Sequence, residues 1–209
     1  MIPAQRTLVL TALAMVAFAA NSVLCRLALR EGAIDAASFT AVRLVSGAVA
    51  LGLILLLRDR SVKAMAAQGN QGSALALFVY AAGFSLAYVE LATGTGALLL
   101  FGAVQATMIG IGLYRGERLA PLQWLGLMLA LAGLVALMLP GATAPPLAAA
   151  ALMLAAGAAW GAYSLRGKGA ADATAVAAGN FFRAWIWLLP LTRCAWPSHW
   201  SQRAGPAQA

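Results

Sequence analysis

Charge is what this chain has least of. Its 209 residues include 6 Asp+Glu, 14 Lys+Arg and a single His, so charged residues make up 10% of the chain and hydrophobic ones 63%. A soluble domain carries roughly 25% charged and about 45–50% apolar residues, and so small a polar allotment cannot cover a water-soluble globule. The composition calls for a membrane as solvent. Cysteine is scarce as well. Cys25 lies in an apolar run and Cys194 near the C-terminus, which excludes a small secreted domain stapled by disulfides. The lone His199 stands in a polar tail without the carboxylate and cysteine neighbours of a metal site, so no metal is expected. There is no His-Glu-x-x-His motif and no phosphate-cradling glycine loop; Gly94 and Gly96 precede an apolar stretch instead of joining a strand to a helix. An enzyme, catalytic residues and cofactors are therefore not expected. The net charge of +8 is scattered along the borders of apolar runs and not gathered into a compact basic surface with stacking groups. The expected partners are membrane lipids, with no nucleic acid.

What the chain has in quantity is apolar sequence of helix length. A hydrocarbon core of about 30 Å takes roughly 20 apolar residues in helix, because no lipid-facing backbone group can stay unpaired. Six stretches meet or approach this requirement, at residues 8–29, 39–57, 74–91, 96–114, 122–139 and 147–165. A seventh, at 175–191, is interrupted by Gly179, Asn180 and Arg183 before Pro190. Arg6 ahead of an apolar run, with the small residues Ala19 and Ala20, imitates a signal peptide. That run is too long for one and similar runs follow it, so it is read as a span. The expected fold is all-α, a polytopic transmembrane helix bundle.

The basic residues orient it. Arg6 precedes the first span, Arg58, Arg60 and Lys63 follow the second, Arg115 and Arg118 the fourth, and Arg166 and Lys168 the sixth. The connections after the third and fifth spans contain no Lys or Arg, and Arg30, beside Glu31 and Asp35, is a minor exception. The positive-inside rule then places the N-terminus and the even-numbered connections in the cytoplasm, as expected for a multi-pass protein of a bacterial inner membrane. Apart from the polar stretch 58–73 the connections are short and leave no room for an extramembrane domain. After Pro190 the sequence TRCAWPSHWSQRAGPAQA halts the helical pattern. An irregular tail is expected, with Trp196 and Trp200 at the headgroup level.

Polar side chains within spans must face protein, a watery cavity or the interface. Asn21 and Arg26 lie about one and a half turns apart on the first span, and Arg43 is near the start of the second. The arginines either anchor an anionic or zwitterionic substrate or snorkel to the outer interface. Asn21 either joins them or hydrogen-bonds a neighbouring helix. Glu90 follows Tyr80, Ser85 and Tyr88 on the third span and precedes Thr93-Gly94-Thr95-Gly96, read as a break between spans. Three roles stay open for it: a proton site, an ion pair with Arg26 or Arg43, and hydration at the outer edge. Gln105 and Thr107 on the fourth span either line a pathway or bond between helices. Gly157 and Gly161 share a face of the sixth span, and Gly126, Ala130 and Gly133 form a similar surface on the fifth. Such faces mark close helix packing, within the chain or between copies.

Three stretches resemble the EamA-type branch of the drug/metabolite transporter superfamily. Asn21-Ser22-Val23-Leu24-Cys25-Arg26 looks like the polar end of the family's first helix, and residues 39–43 like the arginine-bearing start of its second. The strongest similarity is GALLLFGAVQATMIGIGLYRGERLAPLQWLGLMLALAGLVALMLPG at 96–141. It holds an apolar fourth helix, a Gly-Glu-Arg-Leu turn at 116–119 and a glycine-bearing fifth helix that starts near Trp124-Leu125-Gly126. The resemblance implies an all-helical carrier whose complete chain has ten spans in two inverted five-helix repeats. On that pattern residues 1–141 are a five-helix first repeat, 142–191 a partial second repeat and 192–209 a divergent tail, so the expectation is a C-terminally truncated carrier. It further implies alternating-access transport of a small metabolite, amino-acid-like compound or drug, with Asn21, Arg26, Arg43, Tyr88, Glu90 and Gln105 as substrate-binding candidates and the arginines positioning negative charge. The other expectation is a noncatalytic membrane interaction protein or transporter remnant. Its small-residue faces would bind a partner, either a second copy in a homo-oligomer or a complementary membrane subunit.

Overall fold

The computed structural model describes residues 3–30, 34–58, 68–138 and 145–188. Among them every regular element is helical: α1 Pro3–Arg30, α2 Ala36–Leu56, α3 Gln71–Ala87, α4 Thr93–Tyr114, α5 Pro121–Met138, α6 Leu147–Gly167 and α7 Ala173–Ala184, which runs into a 3-10 turn at Trp185–Trp187. The expected all-α class is what the described residues form. The tail 192–209 with Cys194, Trp196, His199 and Trp200 lies outside them, as do Glu31, Arg60 and Lys63.

Helix ends are set by local chemistry. Asp35 caps α2, its Oδ1 accepting from the N–H groups of Ala37 and Ser38, both at 3.0 Å. Partial burial pushes the Asp35 carboxyl up, but the hydrogen bonds from the Ser38 side chain and from the backbone of Ser38 and Ala37 outweigh it and hold the group below its ordinary value. A depressed carboxyl contributes stability above its unfolded pKa and loses that contribution as pH falls through the folded one. Asp35→Ala is therefore expected to cost about 1 kcal/mol at neutral pH, and thermal unfolding of the two proteins should converge in acid. Asn70 caps α3 by accepting from Ser73 N–H at 2.9 Å, and Asp172 caps α7 by accepting from Ala175 N–H at 3.0 Å. The Gly-Glu-Arg-Leu turn is a Schellman ending of α4: Gly116, at φ 90°, lets Glu117 N–H reach the Gly112 carbonyl at 3.0 Å and Gly116 N–H reach that of Leu113 at 2.9 Å. Pro121 then opens α5, where the missing N–H costs nothing.

Two boundaries differ from the expectation. Residues 93–96 are the first turn of α4, and the chain reverses earlier, at 88–92. Tyr88 is the reason: its hydroxyl donates to the Thr93 carbonyl at 3.2 Å, and its ring fills the space at Gly96, where a Cβ would stand 2.5 Å from the ring. The seventh helix is also shorter than expected, its 12 residues rising about 18 Å. The polar residues that interrupt its hydropathy hold the segment ahead of α3. Asn180 Oδ1 accepts from Asn70 N–H at 3.0 Å, and Arg183 donates to the Gln68 carbonyl.

Helices α3 and α6 form the centre. Along α6, small residues bring backbones together: a Cβ on Gly157 would lie 2.5 Å from the Leu100 carbonyl oxygen and 2.6 Å from Ala103 Cβ, and one on Gly161 would lie 3.0 Å from Thr107 Cβ. The small face of the sixth span is thus used inside the chain, against α4. Helix α2 packs on α3 and α7, and Leu44, Leu77, Phe84, Leu99 and Met153 fill the core between α2, α3, α4 and α6. Helices α1 and α5 are peripheral. The Phe18 ring joins α1 to the bundle, meeting Phe101 and Trp160 edge-on at 5.9 and 6.3 Å. On α5, Gly126 and Gly133 face open space.

The outer surface is apolar, with Leu8, Leu13 and Val16 of α1 and Val49 and Leu53 of α2 all exposed. Four helical segments are long and apolar enough to cross a membrane, Gln5–Leu29, Ala36–Leu56, Thr93–Tyr114 and Leu147–Gly167; Gln71–Ala87 and Pro121–Gly133 are shorter apolar helices. Exposed apolar surface on this scale is unfavourable in water and consistent with a lipid surround.

Candidate functional site

Arg43 lies seven residues into α2, about 10 Å along the helix from its start. Phe39 stands one turn before it on the same face, while Tyr80 and Phe84, one turn apart, present their rings from α3. The guanidinium carbon sits 4.8 Å from the Phe84 ring centroid, 5.6 Å from that of Tyr80 and 5.8 Å from that of Phe39, within the range of cation–π attraction. Nη2 donates weakly to the Tyr80 hydroxyl at 3.4 Å, and buried Nη1 has no hydrogen-bond partner among the described residues. A buried donor left unmet is costly. Charge and aromatic faces therefore hold this arginine in a place where Nη1 goes unpaired among the described residues and Nη2 makes only a long hydrogen bond.

Beside it is a cavity of about 450 Å³ lined by Asn21 of α1, Arg43, Leu44, Ser46, Gly47 and Ala50 of α2, Leu77, Tyr80 and Ala81 of α3, and Phe181 of α7. Among the described residues Arg43 is the one charged side chain in this lining. Gly47 has no room for a Cβ because the Phe181 ring lies against it, which is how α7 comes close enough to wall the cavity. The aromatic contacts continue into α6, where Trp160 lies 4.6 Å from Tyr80 and 5.3 Å from Tyr163 between centroids.

The six candidates divide. Asn21 and Arg43 meet in this cavity. Arg26 turns to the end of α3, its Nη1 donating to the carbonyls of Tyr88 at 2.8 Å and Val89 at 2.6 Å, where a cation complements the C-terminal end of the helix dipole. Arg26→Ala is accordingly expected to lower stability by about 1–2 kcal/mol, read by thermal unfolding, because it uncaps α3. Tyr88 is fully buried, its ring 4.7 Å from Phe84. Glu90 is exposed in the turn after α3 and forms no ion pair with Arg26 or Arg43 among the described residues. Gln105 is exposed on α4 and lines two other cavities: an apolar one of about 580 Å³ between α4 and α5, and one of about 270 Å³ that Arg115, Glu117 and Lys168 also border. Tyr80, Phe39 and Phe84 are not among the six candidates, although spacing of four residues beside Arg43 and along α3 is a usable signal for them. No local pattern points to Phe181, which tertiary packing alone brings to the site.

No family model matches the chain, and no solved structure matches it. The uncharacterized protein PA1977 of Pseudomonas aeruginosa is 61% identical over 182 residues, which cover 87% of this chain and 63% of the relative. The chain thus spans a little under two thirds of that relative's length.

Proposed function

We propose that this chain is a multi-pass membrane carrier of small molecules, oriented with its N-terminus in the cytoplasm, and that the cavity beside Arg43 is its substrate site. The observation that carries this reading is a guanidinium, held by aromatic faces and one long hydrogen bond, that lines a 450 Å³ cavity within an apolar bundle. Ionisable groups at such depth are expensive and are kept where substrates or ions pass, and the volume falls in the usual range of small-molecule sites. The EamA-type resemblance supports transport by alternating access. In that reading α1 to α5 form the first repeat and α6 and α7 belong to the second, and the basic residues after α2, α4 and α6 support the orientation. Uptake of a broad metabolite mixture into vesicles holding this chain, against empty vesicles, tests the reading. A carrier gives saturable, chain-dependent accumulation; a correctly inserted chain without flux contradicts it. A second reading, a noncatalytic membrane interaction protein, draws on α5, where Gly126 and Gly133 leave a small-residue face open to another helix. Stable partner association without flux would favour that one.

A further inference from the structure

We infer that the Arg43 cavity takes a small organic monoanion, a single carboxylate on a compact apolar body, and selects against zwitterions and dianions; the inference rests on the reading of this cavity as the substrate site. Charge balance carries it. Arg43 is the only charged side chain of the lining among the described residues, and in an apolar bundle a ligand is cheapest to accommodate when its charge cancels the one already there. One carboxylate does this and a dianion overshoots. A zwitterion brings an ammonium group that finds no carboxylate among the described residues of the lining. Nor do the aromatic faces serve it, because Phe39, Tyr80 and Phe84 already surround the guanidinium.

Hydrogen bonding leads to the same ligand. A guanidinium donates charge-assisted hydrogen bonds to carboxylate oxygens, and here Nη2 has only a long contact to Tyr80 at 3.4 Å, while Nη1 is enclosed by protein without a partner among the described residues. The Tyr80 hydroxyl accepts that contact, which leaves its own hydrogen for a ligand oxygen, and the Asn21 amide adds donors from α1. Ser46 spends its hydrogen on the Arg43 carbonyl at 3.2 Å and offers only lone pairs. Away from Arg43 the lining is Leu44, Leu77, Ala50 and Phe181, which suits an apolar body and not a second polar group.

The test is equilibrium binding to the purified full chain in lipid nanodiscs, with benzoate, its neutral isostere benzamide, the zwitterion phenylalanine and the dianion phthalate as probes. Benzoate is expected to bind at least about tenfold more tightly than the other three and to lose about tenfold or more in Arg43→Gln. Equal binding of benzamide, tighter binding of phenylalanine or phthalate, or no benzoate binding by folded protein overturns the inference. Should Arg43→Gln not fold, the comparison of benzoate with benzamide on the unaltered chain decides alone. Benzoate binding without flux in vesicles keeps the anion site and removes the carrier reading. Flux of neutral or cationic compounds that is insensitive to Arg43 keeps the carrier and removes the anion site.

Discussion

Replacing Gly157 by leucine is expected to keep the chain from reaching a folded, monodisperse state. At that position the α4 and α6 backbones meet, and even a methyl group would sit 2.5 Å from the Leu100 carbonyl oxygen and 2.6 Å from Ala103 Cβ. The first of these atoms is main chain in mid-helix, so the clash is relieved only by moving α4 away from α6, one of the two largest helix contacts in the bundle. Overpacking of this kind costs about 1–3 kcal/mol for small intrusions and more for a whole side chain, against a total stability of roughly 5–15 kcal/mol. Gly157→Ala should remain folded with a clearly lower unfolding temperature. Gly161→Ala, whose added Cβ would stand 3.0 Å from Thr107 Cβ and 3.1 Å from the Val104 carbonyl oxygen, a milder overlap than at Gly157, should lose less. Gly126→Ala and Gly133→Ala, which meet nothing within 4 Å, should stay within about 0.5 kcal/mol of the parent. Size-exclusion profiles and thermal unfolding in detergent check the series, and a Gly157→Leu protein indistinguishable from the parent would mean that α4 and α6 do not pack as described.

Removing the Arg43 charge is expected to separate function from stability. Arg43→Met takes away the charge-assisted contact proposed for the substrate, a loss of about 1.5–2.8 kcal/mol, or roughly tenfold to a hundredfold in uptake efficiency. It also takes away a buried donor that has no partner, so the variant gains back a desolvation cost while it forfeits the contacts with Phe39, Tyr80 and Phe84. The unfolding temperature should therefore hold or rise as uptake collapses. Arg43→Lys keeps the charge without the planar fork and should fall between the two. Parallel loss of uptake and stability would instead mark Arg43 as a packing residue. Arg26→Ala supplies the contrast, because there the stability loss comes first.

The helices were legible in the sequence because apolar runs of bilayer length leave few alternatives, and the turn at 116–119 was legible because Gly116 supplies the left-handed backbone that ends α4. The start of α4 was not. Thr93-Gly94-Thr95-Gly96 looks like a loop by composition, and only the Tyr88 ring, seated where a Gly96 side chain would be, explains why those residues are helical. Asn180 and Arg183 looked like damage to a seventh span; their partners are backbone groups at Asn70 and Gln68, more than a hundred residues away. The candidate site shows the same limit. Cost of burial pointed to Asn21, Arg26 and Arg43 alike, and what separates them is which neighbour each one finds: the cavity for Asn21 and Arg43, the end of α3 for Arg26.

If the Arg43 cavity is a substrate site, water reaches it from one side of the membrane, and cysteine labelling reads that access. Ser46→Cys lines the cavity one turn from Arg43, whereas Val16→Cys lies on the outer apolar face of α1; each is introduced into a chain with Cys25 and Cys194 replaced, in intact membranes. A charged, water-soluble maleimide is expected to label Ser46→Cys and not Val16→Cys, and benzoate to slow the labelling. Failure of the reagent to reach Ser46→Cys in a correctly inserted chain, or equal labelling at Val16→Cys, would rule out a substrate site at Arg43.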